Sequence, residues 1–214
     1  ADDDIAVVVA EGDGRTDDTA AFQKALDDVG KTGGRVNVPG GHYVIRGHLS
    51  IPDSVELCGS FDAPARTQYT EGKLEKEAGS ILLAYEGKND AGGTPFITLH
   101  RASHLHGLSI FYPEQTDDAL PYPWTIRGVG DNCTITAMLI INPYQCVDFG
   151  TEPCGRHLID GLYAQPLKTG IFIDKCFDVG RIANVHFWPF WRDSEKLYAI
   201  TRKGTAFLIA RTDW

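Results

Sequence analysis

The spacing of apolar positions along this chain changes period once. Phe22, Ala25, Leu26 and Val29 recur at helical spacing and form one apolar stripe. Thr16-Asp17-Asp18-Thr19 places capping oxygens and acidic side chains just ahead of it, so the pattern predicts a helix over 17–29. Gly30 suits the left-handed residue that ends such a helix, and Gly33-Gly34 continue as loop. Beyond it the chain reads as short strands. Arg35–Pro39 alternates, Gly40-Gly41 turns, and His42–Ile45, Leu49–Ile51 and Val55–Leu57 follow, the last two parted by Pro52-Asp53. Residues 62–79 are polar and read as a surface loop, and Glu114–Pro123 as a second, acidic, proline-containing one. No linker divides the chain, so 1–214 reads as one domain.

A repeat carries more information than any single element. Leu105–Ile110, Ile135–Ile140, Ile159–Ala164 and Ile182–Phe187 each run apolar, variable, small, apolar, variable, apolar, with a proline shortly after. Their starts lie 30, 24 and 23 residues apart. That period is too short for a domain and too uneven for a leucine-rich array. It fits one coil of a parallel β-helix, in which successive turns stack and share a core. With rungs about 4.8 Å apart, six to eight coils would make a rod of roughly 30–40 Å.

Composition narrows the function classes. Hydrophobic residues make up 43% and charged residues 23% of the 214, as in a folded protein. No stretch approaches the roughly 20 apolar residues of a membrane helix. A formal net charge of −9 disfavours non-specific binding to nucleic acid or anionic lipid. The cysteines at 58, 133, 146, 154 and 176 form no C-x-x-C pair, and read as buried small apolar residues or as one disulfide plus free thiols. The Ala1-Asp2-Asp3-Asp4 start is that of a processed secretory terminus or of an arbitrary boundary.

Glu11–Leu26, which includes Gly12-Asp13-Gly14, followed by Gly33–Tyr43, resembles the start of the pectate-lyase-superfamily β-helix. That group includes relatives of glycoside hydrolase family 28, alginate epimerases and phage tailspikes. The resemblance implies an all-β, single-stranded, right-handed parallel β-helix with an N-terminal α-helical cap. It also implies a carbohydrate-facing role. The residues have a physical reading of their own: Gly12 and Gly14 allow a tight turn, and Asp13 can accept backbone N–H groups within it. The chain departs from the family in two respects, one of them being that related enzymes are usually much longer. The N-T-D, D-D, G-H-G and R-I-K signature of polygalacturonase-type hydrolases is not present as such. Its last residues, Phe207–Trp214, follow a strand-like run directly, which predicts an open C-terminal end covered by another chain or belonging to a longer one.

In the superfamily the substrate groove runs along one sheet, whose strands Cys146–Gly150 and Gly170–Asp174 resemble. With Val147 on Ile171 and Phe149 on Ile173 facing inward, Asp148, Phe172 and Asp174 face outward. Asp148 and Asp174 then lie diagonally, about 7–8 Å apart, near the separation of an inverting glycosidase's acid and base. Arg156 and Lys175 would bind an acidic sugar, and His186, Trp188 and Trp191 would stack on sugar faces. Surface aspartates that merely end strands, and aromatics that form a protein interface, are the plainer alternatives. His100, His104 and His106 form a weaker candidate metal set, and no metal or cofactor is expected. Asn132-Cys133-Thr134 matches a glycosylation sequon but falls on a predicted strand.

Two functions stay open. One is a secreted, cell-surface or periplasmic polysaccharide-active enzyme, hydrolase or lyase, taking an acidic or plant-type polysaccharide or oligosaccharide. The other is a non-catalytic structural, adhesive or scaffolding β-helix subunit, as a homo- or hetero-oligomer.

Overall fold

A computed structural model describes residues 4–60, 69–70, 73–74 and 79–213. In chain order the first elements are β1 (Ile5–Val7), β2 (Asp13–Asp17), α1 (Thr19–Val29), β3 (Gly34–Asn37), β4 (Gly41–Ile45), β5 (Leu49–Ile51) and β6 (Val55–Cys58). β7 (Tyr69–Thr70), β8 (Lys73–Leu74), β9 (Ser80–Ala84), β10 (Ile97–Leu99), β11 (His104–His106), β12 (Leu108–Phe111) and β13 (Trp124–Gly128) follow. The last are β14 (Thr134–Ile141), β15 (Gln145–Phe149), β16 (Leu158–Ala164), β17 (Thr169–Ile173), β18 (Arg181–Phe187), α2 (Glu195–Thr201) and β19 (Thr205–Ile209). Of the predicted loop over 62–79, only 69–70, 73–74 and 79 are among the described residues.

Apart from the antiparallel β7–β8 pair, the described strand pairings are parallel. They form an 11-stranded sheet and a six-stranded sheet, order β19-β17-β15-β13-β10-β5. The larger sheet curls. Its first half holds β1, β3, β6 and β11, its second half β2, β4, β9 and β12, and β14, β16 and β18 run through both. The curl comes at stacked residues with positive φ: Gly107 (66°), Ala137 (51°), Gly161 (73°) and Asn184 (50°). Mostly parallel strands in curled sheets, with two short helices, are consistent with a β-helix.

The predicted repeat aligns rung for rung. Leu105, Ile135, Ile159 and Ile182 stack in register, extended downward by Leu57 and Val36. A second inward column is Tyr43, Leu82, Ile110, Ile140, Ala164 and Phe187. The third, on the six-stranded sheet, is Leu49, Ile97, Ile126, Val147, Ile171 and Phe207. Most of these side chains are fully buried, each contributing roughly 1.5–3 kcal/mol of transfer free energy.

Phe22, Ala25, Leu26 and Val29 of α1 join this core, against β1, β3, β5 and β6. The helix begins at Thr19, not residue 17. Asp18 stands at the N-cap but turns its carboxylate back to the Glu11 and Gly12 amides, 3.0 and 3.3 Å away. Asp17 caps instead, accepting from the Thr19 amide at 3.1 Å. Gly30 is right-handed helical, with φ −59°, and the positive φ expected there falls at Gly33 and Gly34. A Cβ on Gly34 would sit 2.1 Å from the Asp4 carbonyl oxygen, so no larger residue fits against β1. The Gly12–Gly14 turn is as expected: both glycines have positive φ, and Asp13 accepts the Arg15 and Thr16 amides at 2.8 Å.

A second apolar cluster lies on the outer surface of the larger sheet's second half. Val44, Ile81, Leu83, Phe111, Leu139 and Ile141 are covered by Trp191, with Tyr85, Tyr163 and Trp188 alongside. The chain after β18 is tied there by Gln165, which bonds the Pro189 carbonyl and the Arg192 amide. Arg192 reaches Asp117 and the Gln115 carbonyl, and Lys196 pairs with Asp118. This segment carries α2, whose Ser194 Oγ accepts from the Leu197 amide.

Candidate active site

The outward column of the six-stranded sheet is Ser50, Thr98, Arg127, Asp148, Phe172 and Leu208. Val147 and Phe149 stack inward on Ile171 and Ile173, as the alternation requires. Asp148 therefore leaves the core side of the strand, yet it is 0% exposed. The sequence placed it in solvent, and the structure corrects that. Arg127, one rung below, donates Nε–H to Asp148 Oδ2 at 2.6 Å. The amides of Gly150 and Thr151 donate to Oδ1 at 3.0 and 2.8 Å. Trp124 and Phe172, from the rungs either side of β15, stack with ring centroids 6.2 Å apart. A carboxylate buried and bonded in this way organises Arg127 and the following turn and is closed off from a substrate.

Asp174 lies just beyond β17 and is half-buried. Its Oδ1 accepts the amides of Lys175 (2.7 Å) and Arg211 (3.1 Å). Lys175 itself has φ 50° and bonds the Thr151 carbonyl at 2.6 Å, back across one rung. Arg156, also at positive φ, pairs with Asp178 at 2.5 Å on the exposed rim. The structure thus gathers Asp148, Asp174 and Lys175 around one set of turns, with Arg156 in the same run of turns.

His186, Trp188 and Trp191 belong elsewhere. They form an aromatic group with Tyr163 on the larger sheet: Trp188 and Trp191 pack edge-on at 4.8 Å, and His186 stands 6.3 Å from Trp191. Trp191 is 6% exposed and covers the second cluster, so it is part of the packing rather than an open stacking face. The aromatic pair beside the carboxylates is Trp124 and Phe172. Sequence reasoning placed Phe172 outward but passed over Trp124, whose signal is a lone Trp opening a strand.

His100, His104 and His106 do not converge on one point. His100 bonds Ser50 at 3.0 Å, while His104 and His106 both bond Thr136. Among the described residues no group of three or more His, Cys, Asp or Glu side chains is arranged to hold a metal. All five cysteines are unbridged, and four are buried. Asn132 lies on an exposed turn ahead of β14, with φ 63°, not inside a strand.

The family match and a solved structure agree with this architecture. An exopolygalacturonase of Arabidopsis thaliana is 36% identical over 73 residues, 32% of this chain and 16% of the plant protein. A metal-dependent hydrolase of Haloarcula marismortui is 25% identical over 162 residues, 67% of this chain and 64% of that one. The chain spans less than two thirds of either relative. A Parabacteroides merdae protein, provisionally assigned as a glycosyl hydrolase, superposes with a TM-score of 0.54 at 13% identity, covering 90% of this chain and 96% of its own; it speaks for the fold alone. Residues 8–136 match the family described as rhamnogalacturonase A/epimerase, pectate lyase-like. The match takes in the Gly12–Gly14 turn, α1 and the first stacked rungs, and the chain belongs to that family.

Proposed function

We propose that residues 1–214 form a single right-handed parallel β-helix domain, closed at its N-terminal end by α1, that binds and cleaves an acidic polysaccharide outside the cytoplasm. The outer face of the six-stranded sheet carries this reading: an aromatic pair, a fixed guanidinium and a half-exposed carboxylate occupy adjoining rungs. Trp124 and Phe172 offer a flat face to a sugar ring. Arg127, held by Asp148, and Lys175 attract the uronate carboxylate and, in an elimination, the charge that builds on it. Asp174 transfers the proton, to a leaving oxygen in hydrolysis or from the sugar carbon in a lyase. Asp148 is a positioning residue. Arg156 adds positive charge at the rim.

A panel of uronate-containing glycans, scored for new reducing ends and for unsaturated products, tests this. Asp174→Asn is expected to lower turnover roughly 100-fold or more, and Trp124→Ala to raise KM with a smaller effect on kcat. Turnover unchanged by Asp174→Asn removes the assignment, and no turnover of any member removes the enzymatic reading.

A second reading, a non-catalytic subunit that binds other protein chains, draws on the exposed apolar side chains of β19. Phe207, Leu208 and Ile209 are 44%, 50% and 58% exposed. Native mass of the isolated particle separates the two, since a lone chain leaves that reading without a partner.

A further inference from the structure

On the outer surface of the larger sheet's first half, five polar side chains bond in one line across the rungs. Arg35 donates Nε–H to Glu56 Oε2 at 2.5 Å. His104 Nδ1 lies 3.1 Å from Glu56 Oε1. His104 Nε2 lies 2.6 Å from Thr136 Oγ1, and His106 Nδ1 lies 2.8 Å from that same oxygen. The chemistry of the partners fixes the direction of each bond. A carboxylate only accepts, so His104 carries its hydrogen on Nδ1. Its Nε2 then has a free lone pair, and the Thr136 hydroxyl donates to it. The hydroxyl has no second hydrogen, so His106 Nδ1–H donates to Oγ1.

We propose that Thr136, His104 and Glu56 are the nucleophile, base and orienting carboxylate of a second catalytic site, one that hydrolyses small carboxylic esters of the kind that decorate sugar hydroxyls. A hydroxyl within hydrogen-bond reach of a base, the base itself held by a third group, is the arrangement that activates an otherwise weak nucleophile. Burial holds His104 below the ordinary imidazole value against the pull of Glu56, keeping Nε2 open to take a proton at neutral pH. The site is reachable: the His104 and Glu56 side chains are 28% and 18% exposed, and Thr136 is half-buried. Thr136 immediately precedes the bend at Ala137, a non-glycine residue at φ 51° where the adjoining rungs have Gly107 and Gly161.

The steps balance. Thr136 Oγ1 attacks the acyl carbon as its proton passes to His104 Nε2. The carbon–alkoxy bond breaks, and His104 returns the proton to the leaving alcohol. Water then attacks the acyl-threonine, giving a proton to His104. The carbon–Oγ1 bond breaks, releasing the acid, and Thr136 regains its hydrogen. Glu56, itself held by Arg35, holds the imidazole throughout, and His106 Nδ1–H follows the charge that develops beside Oγ1.

The site shares no residue with the outer face of the six-stranded sheet, so either reading can fail alone. The test uses p-nitrophenyl acetate with the whole chain. Release of p-nitrophenolate is followed, and acid-quenched protein is mapped by mass spectrometry. Expected are turnover above a buffer blank, an acetyl group on Thr136, at least a 10-fold loss in Thr136→Val, and the same adduct at position 136 in Thr136→Ser. Acetylation of a histidine or lysine alone, equal turnover by Thr136→Val, or no turnover and no adduct in the parent chain each overturns the proposal. The parent's adduct map decides the matter even if Thr136→Val does not fold.

Discussion

Asp148 and Arg127 show how far a single residue's setting decides its role. The carboxylate is fully buried, the guanidinium side chain 23% exposed, and breaking such a pair from one side leaves the other charge unmatched. Asp148→Ala is expected to cost about 3–5 kcal/mol. Arg127→Met with Asp148→Leu is expected to cost less than Asp148→Ala alone, read from denaturant midpoints. Two core tyrosines give a sharper contrast. Tyr112 bonds Thr125 at 2.7 Å, whereas the Tyr122 hydroxyl has no hydrogen-bond partner among the described residues, and burial pushes its pKa to about 12. Tyr112→Phe should therefore destabilise by about 1 kcal/mol, while Tyr122→Phe should be neutral or stabilising. Alternation showed which way Asp148 points. It did not show that Arg127 holds one of its oxygens and the turn after β15 the other, because the guanidinium comes from 21 positions away in sequence.

Elements were legible where their signal is local or periodic. The β11–β12, β14, β16 and β18 column was predicted in register because the repeat carries its own alignment. The start of α1 was not, because Asp18 has two sets of amides within reach and bonds the earlier one. Nor was α2 anticipated, although Ser194 and Glu195 form a short cap signal; its seven residues are held by tertiary contacts rather than by a long apolar stripe. At the bend between the two halves of the larger sheet, Ala137 holds a conformation that costs an L-residue about 1–2 kcal/mol. Ala137→Gly is expected to raise the melting temperature, and Gly161→Ala to lower it. The opposite order would show that the bend is not strained.

Over the whole molecule, titration and rung order set the stability. Asp13 is held below its ordinary value by the Thr16 and Arg15 amides, Asp17 by Thr19, and Asp178 by the Val179 amide and Arg156. Lys24 and Lys31 hold Asp28 at about 2. Carboxylates lowered in the folded state stabilise fully above the unfolded value near 3.8, and that share is lost as pH falls through the lower folded values. Burial lowers His104 and His157 from 6.5. Below 6.5 the unfolded chain therefore binds protons that the folded one refuses, and stability again falls with pH. The melting temperature should be level with respect to these groups above pH 7, decline toward pH 5 and drop steeply below 4. His157→Leu should flatten the first decline, and a melting temperature that rose from pH 7 to 5 would contradict the scheme. Stacked rungs also predict graded protection. Amides of β10, β13 and β15 should exchange with solvent more slowly than those of β1 and β19, which among the described residues each pair with one strand.

The register of the columns means that closeness in this protein is counted in layers. Thr136 meets His106 and Asp160, which lie 30 residues before it and 24 after it, more directly than it meets residues a few places along its own strand. Extra length in an outer turn such as 87–93 adds a loop and leaves every column aligned. A single deletion within Ile159–Ala164 would instead exchange inward and outward side chains in β16 and pass the mismatch to β14 and β18 at once. Variation among relatives of this chain is then better read down the columns than along the thread, where uneven turn lengths hide the correspondence.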